Sequence, residues 1–333
     1  MVLSNEKIEL TVAQTGAALM NFVLRDDPTR LSPLWKSMGH FLCLDGFGTP
    51  SKEEAAAGYP FHGEANHQRF EIVSSGKSGA VLSLKLAAKL PLAQEAVTRT
   101  LQMVDGENVV YVETQVESLV SFDRPISWAE HATLGPPYLG PGKVVVDMPA
   151  KHCRVRPWKP GNLPPRLVYD RDFEWPMAPL RNGGTVNLLT VPDDKVLDLA
   201  TCQIDPARSY GYVVALRPDE RLLFGYLFHR EEYPWLMSWM NYTGDASAAR
   251  GIEFSTQPFD VSRRESVDAH EMFGTPTYRW LPAKSRIESR FLAFYTRVPD
   301  GFTAIADVTL ENGQLVIRSQ AGETLKLKAS LPL

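Results

Sequence analysis

The sequence is dominated by short runs in which apolar and polar residues alternate, or in which β-branched residues follow one another. Alternation with a period of two turns one face of an extended segment towards a core and the other towards solvent, as in a β-strand. The runs are Lys7–Ala13, Phe70–Ser74, Val81–Ala87, Ala96–Val104, Val109–Glu117, Lys143–Asp147, Tyr212–Leu216, Leu222–Phe228, Ser289–Val298, Gln314–Arg318 and Thr324–Ala329. Their number and spacing predict an all-β protein.

Two dipeptides between such runs are typical of tight hairpin turns. Asp105-Gly106 and Asn312-Gly313 place residues that tolerate positive φ between strand-like segments, which predicts antiparallel pairing. Helical signals are sparse, because only Lys52–Ala57, behind the N-cap candidate Ser51, is typical of a helical turn. A doubly wound α/β fold is therefore disfavoured.

The composition changes at one place, between Arg156 and Gly184. This segment contains six prolines and the tryptophans Trp158 and Trp175. Proline is excluded from central strands because it lacks a backbone donor, whereas the tryptophans are untypical of a free linker. We interpret the segment as an ordered excursion from a β scaffold and predict a single domain over residues 1–333.

The charge balance disfavours polyanionic partners. Lys and Arg total 35 and Asp and Glu 39, a net charge of −4, so no excess of positive charge is available for nucleic acid or an anionic bilayer. The start, Met1–Leu10, lacks a basic segment followed by an apolar one, and Ala17–Leu24 is far shorter than the ~20 residues of a membrane span. We expect neither nucleic acid nor a membrane as partner.

The three cysteines, Cys43, Cys153 and Cys202, are too few and too scattered for a disulfide framework or a metal knuckle. We expect them to be reduced core residues of a cytoplasmic protein. None of the seven histidines belongs to a compact metal-ligand motif. No metal and no cofactor are therefore predicted.

The first candidate for chemistry is His62, in the hexapeptide Tyr59–Glu64. A proline two residues before the histidine and a glycine directly after it are typical of a stiff loop that presents a reactive group. The alternative is a turn histidine that is bonded to the backbone.

The second candidate lies in Trp128–Pro137, where a strand-like run ends at Gly-Pro-Pro. Alternation puts Trp128 and Glu130 on one face and His131 on the other. Glu130 and His131 therefore cannot both face one ligand if the strand is regular.

A third candidate is the polar stretch Arg250–Asp260. Alternation sets Glu253, Ser255 and Gln257 on one face, close to Arg250. Such a face is either a solvated edge or the floor of a binding site.

Aromatic residues are concentrated just upstream, in Tyr233–Trp239. The flat faces of Trp235 and Trp239 suit the apolar face of a sugar ring, although core packing is the commoner reason for a tryptophan. We include both among the candidate binding residues.

Taken in order, these segments resemble the aldose 1-epimerase (galactose mutarotase) family. His62-Gly63 resembles the family's first histidine in an HG turn, and Glu130-His131 its second histidine. Phe254–Gln257 resembles its late LETQ motif. The runs Gln14–Phe22 and Thr98–Tyr111 resemble its opening strands, so the similarity spans most of the chain.

The resemblance implies a β-supersandwich of two large antiparallel sheets with an open sugar cleft. It also implies that His131 acts as general acid towards the ring oxygen, that His62 helps to bind and polarise the sugar, and that a glutamate accepts the proton of the anomeric hydroxyl. Imidazole titrates near neutrality and a carboxylate accepts a hydroxyl proton, so neither step needs a metal or cofactor.

Two positions depart from the family pattern. Glu130 stands where asparagine precedes the second histidine, and Ser255 stands where LETQ has its glutamate. An alcohol cannot serve as a base near neutrality. Glu253 lies two residues earlier on the same strand face, roughly 7 Å away, and we predict that it replaces the missing base.

The favoured function is an aldose 1-epimerase-like isomerase that interconverts sugar anomers with His131, His62 and Glu253. The alternatives are a non-catalytic carbohydrate-binding domain and another sugar-active enzyme, a lyase or a hydrolase. A hydrolase needs two carboxylates about 5–10 Å apart, for which Glu253 with Glu130 or Glu64 is the obvious supply. The partner is in each case a small sugar, and the oligomeric state is left open. The predicted binding residues are Glu64, Glu130, Trp128, Trp235, Trp239, Arg250, Ser255 and Gln257.

Overall fold

The computed structural model describes residues 1–158, 165–244 and 248–333, and within these ranges the chain is built from short strands. In chain order they are β1 Val2–Ser4, β2 Ile8–Val12, β3 Leu19–Leu24, β4 His40–Leu44, β5 Glu71–Ser78, β6 Val81–Leu90, β7 Glu95–Val104, β8 Val109–Ser118, β9 Arg124–Ile126, β10 Trp128–Leu134, β11 Val145–Asp147, β12 Ala150–Val155, β13 Asp172–Phe173 and β14 Met177–Pro179. They continue as β15 Thr185–Asn187, β16 Val196–Ile204, β17 Tyr210–Arg217, β18 Leu222–His229, β19 Trp235–Tyr242, β20 Ala249–Gly251, β21 Glu253–Ser255, β22 Glu271–Met272, β23 Thr275–Pro276, β24 Arg279–Leu281, β25 Arg286–Arg297, β26 Ile305–Glu311, β27 Gln314–Ser319 and β28 Thr324–Lys328.

Most of these strands form two large antiparallel sheets, and the others form four small ones. The larger sheet has the order β1-β2-β3-β4-β10-β20-β19-β16-β12-β13, and β21 continues β20 between β10 and β19. The smaller sheet has eight strands in the order β11-β17-β18-β25-β8-β7-β6-β5. The predicted all-β class and the β-supersandwich are thus confirmed, whereas the single-domain organisation stays a prediction.

The main core fills the space between the two sheets. Large side chains without solvent exposure, such as Trp128 and Phe254 of the larger sheet and Phe224 of the smaller one, meet there. The strands β26–β28 cover the outer face of the smaller sheet with a second apolar cluster. The outer face of the larger sheet carries a third, smaller cluster that includes Phe41 and Met237, and the candidate site lies on this face.

Both predicted hairpin turns are present. Asp105-Gly106 joins β7 to β8, and Asn312-Gly313, with φ of 50° and 73°, joins β26 to β27. Short strands linked in this way pair with their sequence neighbours, which is why the smaller sheet contains the consecutive series β5 to β8.

Helices are short. The predicted one is α1, Lys52–Ala56, which Ser51 caps as expected. A second, α2 at Arg263–Ala269, was not predicted because seven residues are too few to display a helical period. Single 3₁₀ turns lie at Ala65–His67 and Pro218–Glu220. Within the described ranges no helix has the length and apolar character needed to cross a bilayer.

The expectation of three reduced cysteines is wrong. Cys153 and Cys202 lie opposite each other on β12 and β16 and form a disulfide bond, and only Cys43 is a free, buried thiol. The sequence spacing of 49 residues hid this pairing, because the two strands become neighbours only in the folded sheet. The correction removes the cysteine argument for a cytoplasmic location.

The proline-rich excursion is only partly described. Residues 159–164 lie outside the described ranges. The remainder follows the larger sheet, because β13 pairs with β12 and both Phe173 and Trp175 pack against the main core. The predicted order of this segment is confirmed for its described part.

Candidate functional site

Four neighbouring strands of the larger sheet bring one row of side chains to its outer face. His131 of β10 lies opposite Phe41 of β4, and the two rings stack with centroids 4.4 Å apart. On the other side of β10 the antiparallel register sets Glu253 of β21 across from His131. Met237 of β19 lies across from Glu253 in turn. The row is therefore fixed by strand pairing.

His62 reaches this row from the loop after α1. Its backbone has φ of 64° and is followed by Gly63 at 78°. A Cβ at Gly63 would stand 2.2 Å from the Leu44 carbonyl oxygen, so only glycine allows the loop to approach β4 this closely. The His62 and His131 rings meet edge to face with centroids 4.9 Å apart. The loop prediction for His62-Gly63 agrees with this geometry.

The hydrogen bond of His62 defines its tautomer. The backbone N–H of Gly48 donates to Nδ1 of His62 at 3.2 Å. Nδ1 is therefore an acceptor, and in the neutral ring the proton lies on Nε2. His62 is thus a hydrogen-bond donor through Nε2 even though one of its nitrogens is held by the backbone.

Glu253 is the least satisfied acid of the site. Its side chain has no solvent exposure, and neither carboxyl oxygen has a hydrogen-bond partner. Oε2 lies 3.7 Å from Nε2 of His131, which is too long for a hydrogen bond. A buried polar group without a partner costs free energy, so this arrangement leaves room for a polar ligand.

Burial sets the protonation of these groups. It raises the pKa of Glu253 well above its usual range, and the nearby charge of Asp260 adds to the effect. Burial lowers the pKa of His131 well below its usual range, helped by the charge of His62. The pKa of His62 itself falls to about 3, again mainly through burial. Both imidazoles are therefore neutral near neutrality, and burial favours the protonated form of Glu253.

An ion pair that sequence reasoning missed lies beside Glu253. Nη2 of Arg156 lies 2.6 Å from Oδ2 of Asp260, and the guanidinium lies 4.4 Å above the ring of Trp158. Nε of Arg156 and Oδ1 of Asp260 are buried and unpartnered. Burial raises the pKa of Asp260 to about 6, against the opposing effect of Arg156. The pair thus offers one free donor and one free acceptor side by side.

These groups surround a cavity of about 320 Å³. Apolar side chains complete its wall. The lining residues are Met38, Thr49, Phe61, His62, His131, Arg156, Leu199, Met237, Trp239, Glu253 and Asp260. Among the described residues no cluster of three or more His, Cys, Asp or Glu side chains could hold a metal ion.

A larger cavity of about 460 Å³ lies between the β18–β19 turn and residues 274–279. Glu232 there accepts the N–H of Arg290 and Arg279 donates to Ser289, and among its described lining residues only Arg230 has a buried side-chain atom, Nε, without a partner. We place the candidate site in the smaller cavity because unpartnered buried polar atoms converge there.

Glu130 and Trp128 do not reach the cavity, and their assignment to sugar binding is corrected. Both point from β10 into the core between the sheets, as alternation with His131 requires. The Glu130 carboxylate accepts two hydrogen bonds from Arg99 and lies 2.8 Å from His40. Trp128 packs beneath Arg279.

Glu64 and Gln257 bind backbone instead of a ligand. Glu64 accepts the N–H groups of Leu92 and Ala93, each at 3.0 Å. The amide nitrogen of Gln257 donates to the carbonyls of Phe259, Val261 and Phe47, while its Oε1 is buried without a partner. Both side chains hold loops next to the site, and neither lines the cavity.

Arg250, Ser255 and Trp235 are likewise engaged elsewhere. Arg250 donates to the carbonyls of Leu188 and Leu189. Ser255 shares the outer face with Glu253, but its hydroxyl donates to the Gln257 carbonyl. The indole of Trp235 donates to the Pro276 carbonyl at 2.8 Å. Of the eight predicted binding residues, only Trp239 lines the cavity.

The solved structures that match this chain include galactose mutarotase-like proteins. A galactose mutarotase related enzyme from Lactobacillus acidophilus matches with a TM-score of 0.62 and 12% identity over 90% of this chain and 98% of that one. A proposed aldose 1-epimerase from Klebsiella pneumoniae gives 0.62 and 13% over 89% and 78%. Another from Escherichia coli K12 gives 0.60 and 14% over 89% and 98%. Neither a family model nor a curated protein matches the sequence.

At these identities the comparison establishes the fold. The chain has a galactose mutarotase-like fold, and the resemblance seen in its sequence is confirmed at that level.

Proposed function

We propose that the protein is an aldose 1-epimerase-like isomerase that interconverts the anomers of a small sugar. The observation that carries this proposal is the convergence of His62, His131 and the unpartnered carboxyl of Glu253 on one cavity. The aldose 1-epimerase-like neighbours support a sugar as the substrate.

The reaction needs one proton donor and one proton acceptor. The donor protonates the ring oxygen while the acceptor removes the proton of the anomeric hydroxyl, so the bond from C1 to the ring oxygen breaks and C1 becomes a carbonyl. Rotation about the next carbon–carbon bond and the reverse proton movements give the other anomer. His131 and Glu253 can fill the two roles when His131 carries the proton and Glu253 is charged.

The family resemblance gives the donor role to His131 and the acceptor role to Glu253. This assignment requires the bound sugar to favour transfer of the proton from Glu253 to His131. Arg156 favours it, because its charge opposes the burial that raises the pKa of Glu253. His62 donates through Nε2 to a sugar oxygen in this arrangement.

The rest of the cavity suits a single neutral sugar ring. The free Nε of Arg156 and the free Oδ1 of Asp260 match neighbouring hydroxyls, one accepting and one donating. Trp239 and Met237 supply apolar surface for the C–H face of the ring. The volume lies at the lower end of the ~300–1,000 Å³ of small-molecule pockets, which favours a monosaccharide.

The hydrolase alternative lacks the second free carboxylate that it would need beside Glu253. Glu130 is bound by Arg99 and Glu64 by two backbone N–H groups. Asp260 also lines the cavity, but it is paired with Arg156. We therefore keep the binding domain as the alternative to the isomerase.

The test is the rate of anomer interconversion, followed by polarimetry or NMR exchange. Glu253→Gln preserves shape but removes the titrating group, so the rate should fall by ~10² or more, while binding survives through the amide. His131→Asn should give a similar loss. Ser255→Ala is the matched control on the same strand, and we expect it to keep most of the rate.

One outcome would contradict the isomerase, and another would contradict the role of Glu253. Wild-type protein that binds a sugar without accelerating its mutarotation would establish the binding domain instead. Full activity in Glu253→Gln would mean that another group is the proton acceptor.

A further inference from the structure

A chain of polar groups lies fully buried between the sheets, directly behind the candidate site. Arg99, of β7 in the smaller sheet, donates to both carboxylate oxygens of Glu130 at 3.0 and 2.9 Å. His40, of β4, lies 2.8 Å from Glu130 through Nε2 and 3.0 Å from the Tyr226 hydroxyl through Nδ1. Tyr226 belongs to β18, so both ends of the chain are anchored in the smaller sheet.

In each hydrogen bond of this polar network, only one assignment of donor and acceptor is possible. Burial by itself would raise the pKa of Glu130, but Arg99 and His40 hold it at about 2, so Glu130 is charged and only accepts. His40 must then donate from Nε2. Burial lowers the pKa of His40, so the ring is neutral, Nδ1 accepts, and the Tyr226 hydroxyl donates. A network whose donors and acceptors are fixed in this way is satisfied by only one pairing of the strands that carry it.

The two network residues of the larger sheet, Glu130 and His40, lie directly behind the outward-facing row of the site. Glu130 precedes His131, and His40 precedes Phe41, which stacks on His131. The His40 ring also meets Phe254, which follows Glu253, with centroids 6.0 Å apart. Because successive residues of a strand point to opposite faces, fixing these inward side chains fixes the outward row.

Apolar side chains alone specify this register poorly. If a strand shifts by two residues, about 7 Å, relative to its neighbour, each side chain still points to the same face of the sheet. The shift then only replaces one apolar core residue with another. The same shift would leave Glu130 and Arg99 unpaired in the core. Buried ion pairs add little net stability over well-packed apolar residues of similar size, so stability alone gives no reason for the network.

We propose that Arg99, Glu130 and His40 are positioning residues, which set the register of β4, β10 and β21 and thereby hold His131 and Glu253 in place. The kinetic part of this proposal rests on the proposed isomerase activity. The positions of the His131 side-chain NMR resonances test the proposal independently of that activity, because they are measured on the ligand-free protein.

The test removes the polar network without leaving any member unpaired. Arg99 also donates to the buried hydroxyl of Thr114 at 3.0 Å. The apolar variant therefore combines Arg99→Met, Thr114→Val, Glu130→Leu, His40→Phe and Tyr226→Phe, so that no buried donor or acceptor of the network is orphaned. Arg99→Lys is a milder variant that keeps the charge but loses the two-pronged geometry. Tyr226→Phe alone is the mildest variant, because it keeps the Arg99–Glu130–His40 contacts and removes only the donor to Nδ1 of His40.

We expect the apolar variant to fold cooperatively, with an unfolding midpoint in urea close to that of the wild type. Its kcat should fall about tenfold or more, with a smaller change in KM, and the ¹⁵N resonances of the His131 ring should move. Arg99→Lys should show the same changes to a lesser degree, and Tyr226→Phe should resemble the wild type.

Wild-type His131 resonances in the folded apolar variant would overturn the proposal, whatever the activity. The proposal would also be overturned if the apolar variant failed to fold while Arg99→Lys kept the wild-type kcat and His131 resonances. The network would then have a purely structural role. A wild-type protein without mutarotase activity would refute the proposed function, while the His131 resonances of the variants would still decide on positioning.

Discussion

The carboxyl group of Glu253 occupies the space that a side chain at residue 251 would need. A Cβ added to Gly251 would stand 2.1 Å from Oε1 of Glu253. The two residues flank Ile252 at the break between β20 and β21. The absence of a side chain at Gly251 therefore decides where the proposed proton acceptor sits.

Gly251→Ala should displace the Glu253 carboxyl and lower the rate of anomer interconversion by ~10², since small misplacements of a reacting group have effects of that order. Gly76→Ala is the control, because Gly76 lies on the exposed strand β5 with nothing within 4 Å of the added Cβ. Polarimetry of both variants provides the measurement. Full activity in Gly251→Ala would show that the carboxyl position is not critical.

Sugar binding should change the fluorescence of Trp239 and leave that of Trp235 unaffected. Trp239 lines the cavity, whereas the Trp235 indole is fixed to the Pro276 carbonyl outside it. The signal should therefore persist in Trp235→Phe and disappear in Trp239→Phe, in titrations with hexoses at millimolar concentration. The opposite pattern would place the sugar elsewhere.

His62 should make the protein less stable in acid. Its pKa is about 3 in the folded chain against 6.5 for an ordinary histidine, so between these values the unfolded chain binds a proton that the folded chain does not. The free energy of unfolding then falls with falling pH through this window, by roughly 1.4 kcal/mol per pH unit.

His62→Asn removes this contribution and tolerates the positive φ, so it should lose less stability than the wild type between pH 6.5 and pH 4. Urea unfolding at the two pH values measures the difference. His152→Asn, a change at an exposed histidine, should keep the wild-type pH dependence. An equal loss in His62→Asn and wild type would contradict the assignment.

The disulfide predicts the number of reactive thiols. Denatured protein without reductant should show one thiol, that of Cys43, and reduced protein three. In Cys43→Ala the unreduced count should be zero. Reduction should lower the free energy of unfolding by about 2–4 kcal/mol, because it releases a long loop in the unfolded chain. Three thiols without reductant would restore the expectation of reduced cysteines.

The alternation of apolar and polar residues predicted strands in which one face is buried and the other is partly exposed to solvent. The strand β7, for example, alternates between buried and partly buried residues. The strands β17 and β18, which are buried on both faces, were predicted because they form continuous apolar runs. The strands β16 and β19 are also mostly buried, but polar residues such as Asp198 and Ser238 interrupt their apolar runs without a regular alternation, so they were missed. The site lies against β16 and β19, which is why its floor was the harder part to predict.

The sequence by itself determined the strand-rich class, the hairpins and the opposite orientations of Glu130 and His131, because each follows from neighbours along the chain. Only the tertiary structure decided which polar residues remain free for a ligand. Ser255 and Gln257 share a strand pattern with Glu253 but find backbone partners, and Arg156 meets Asp260 across 104 residues of sequence. Whether a polar side chain is satisfied depends on groups brought together by folding, and no local pattern records them.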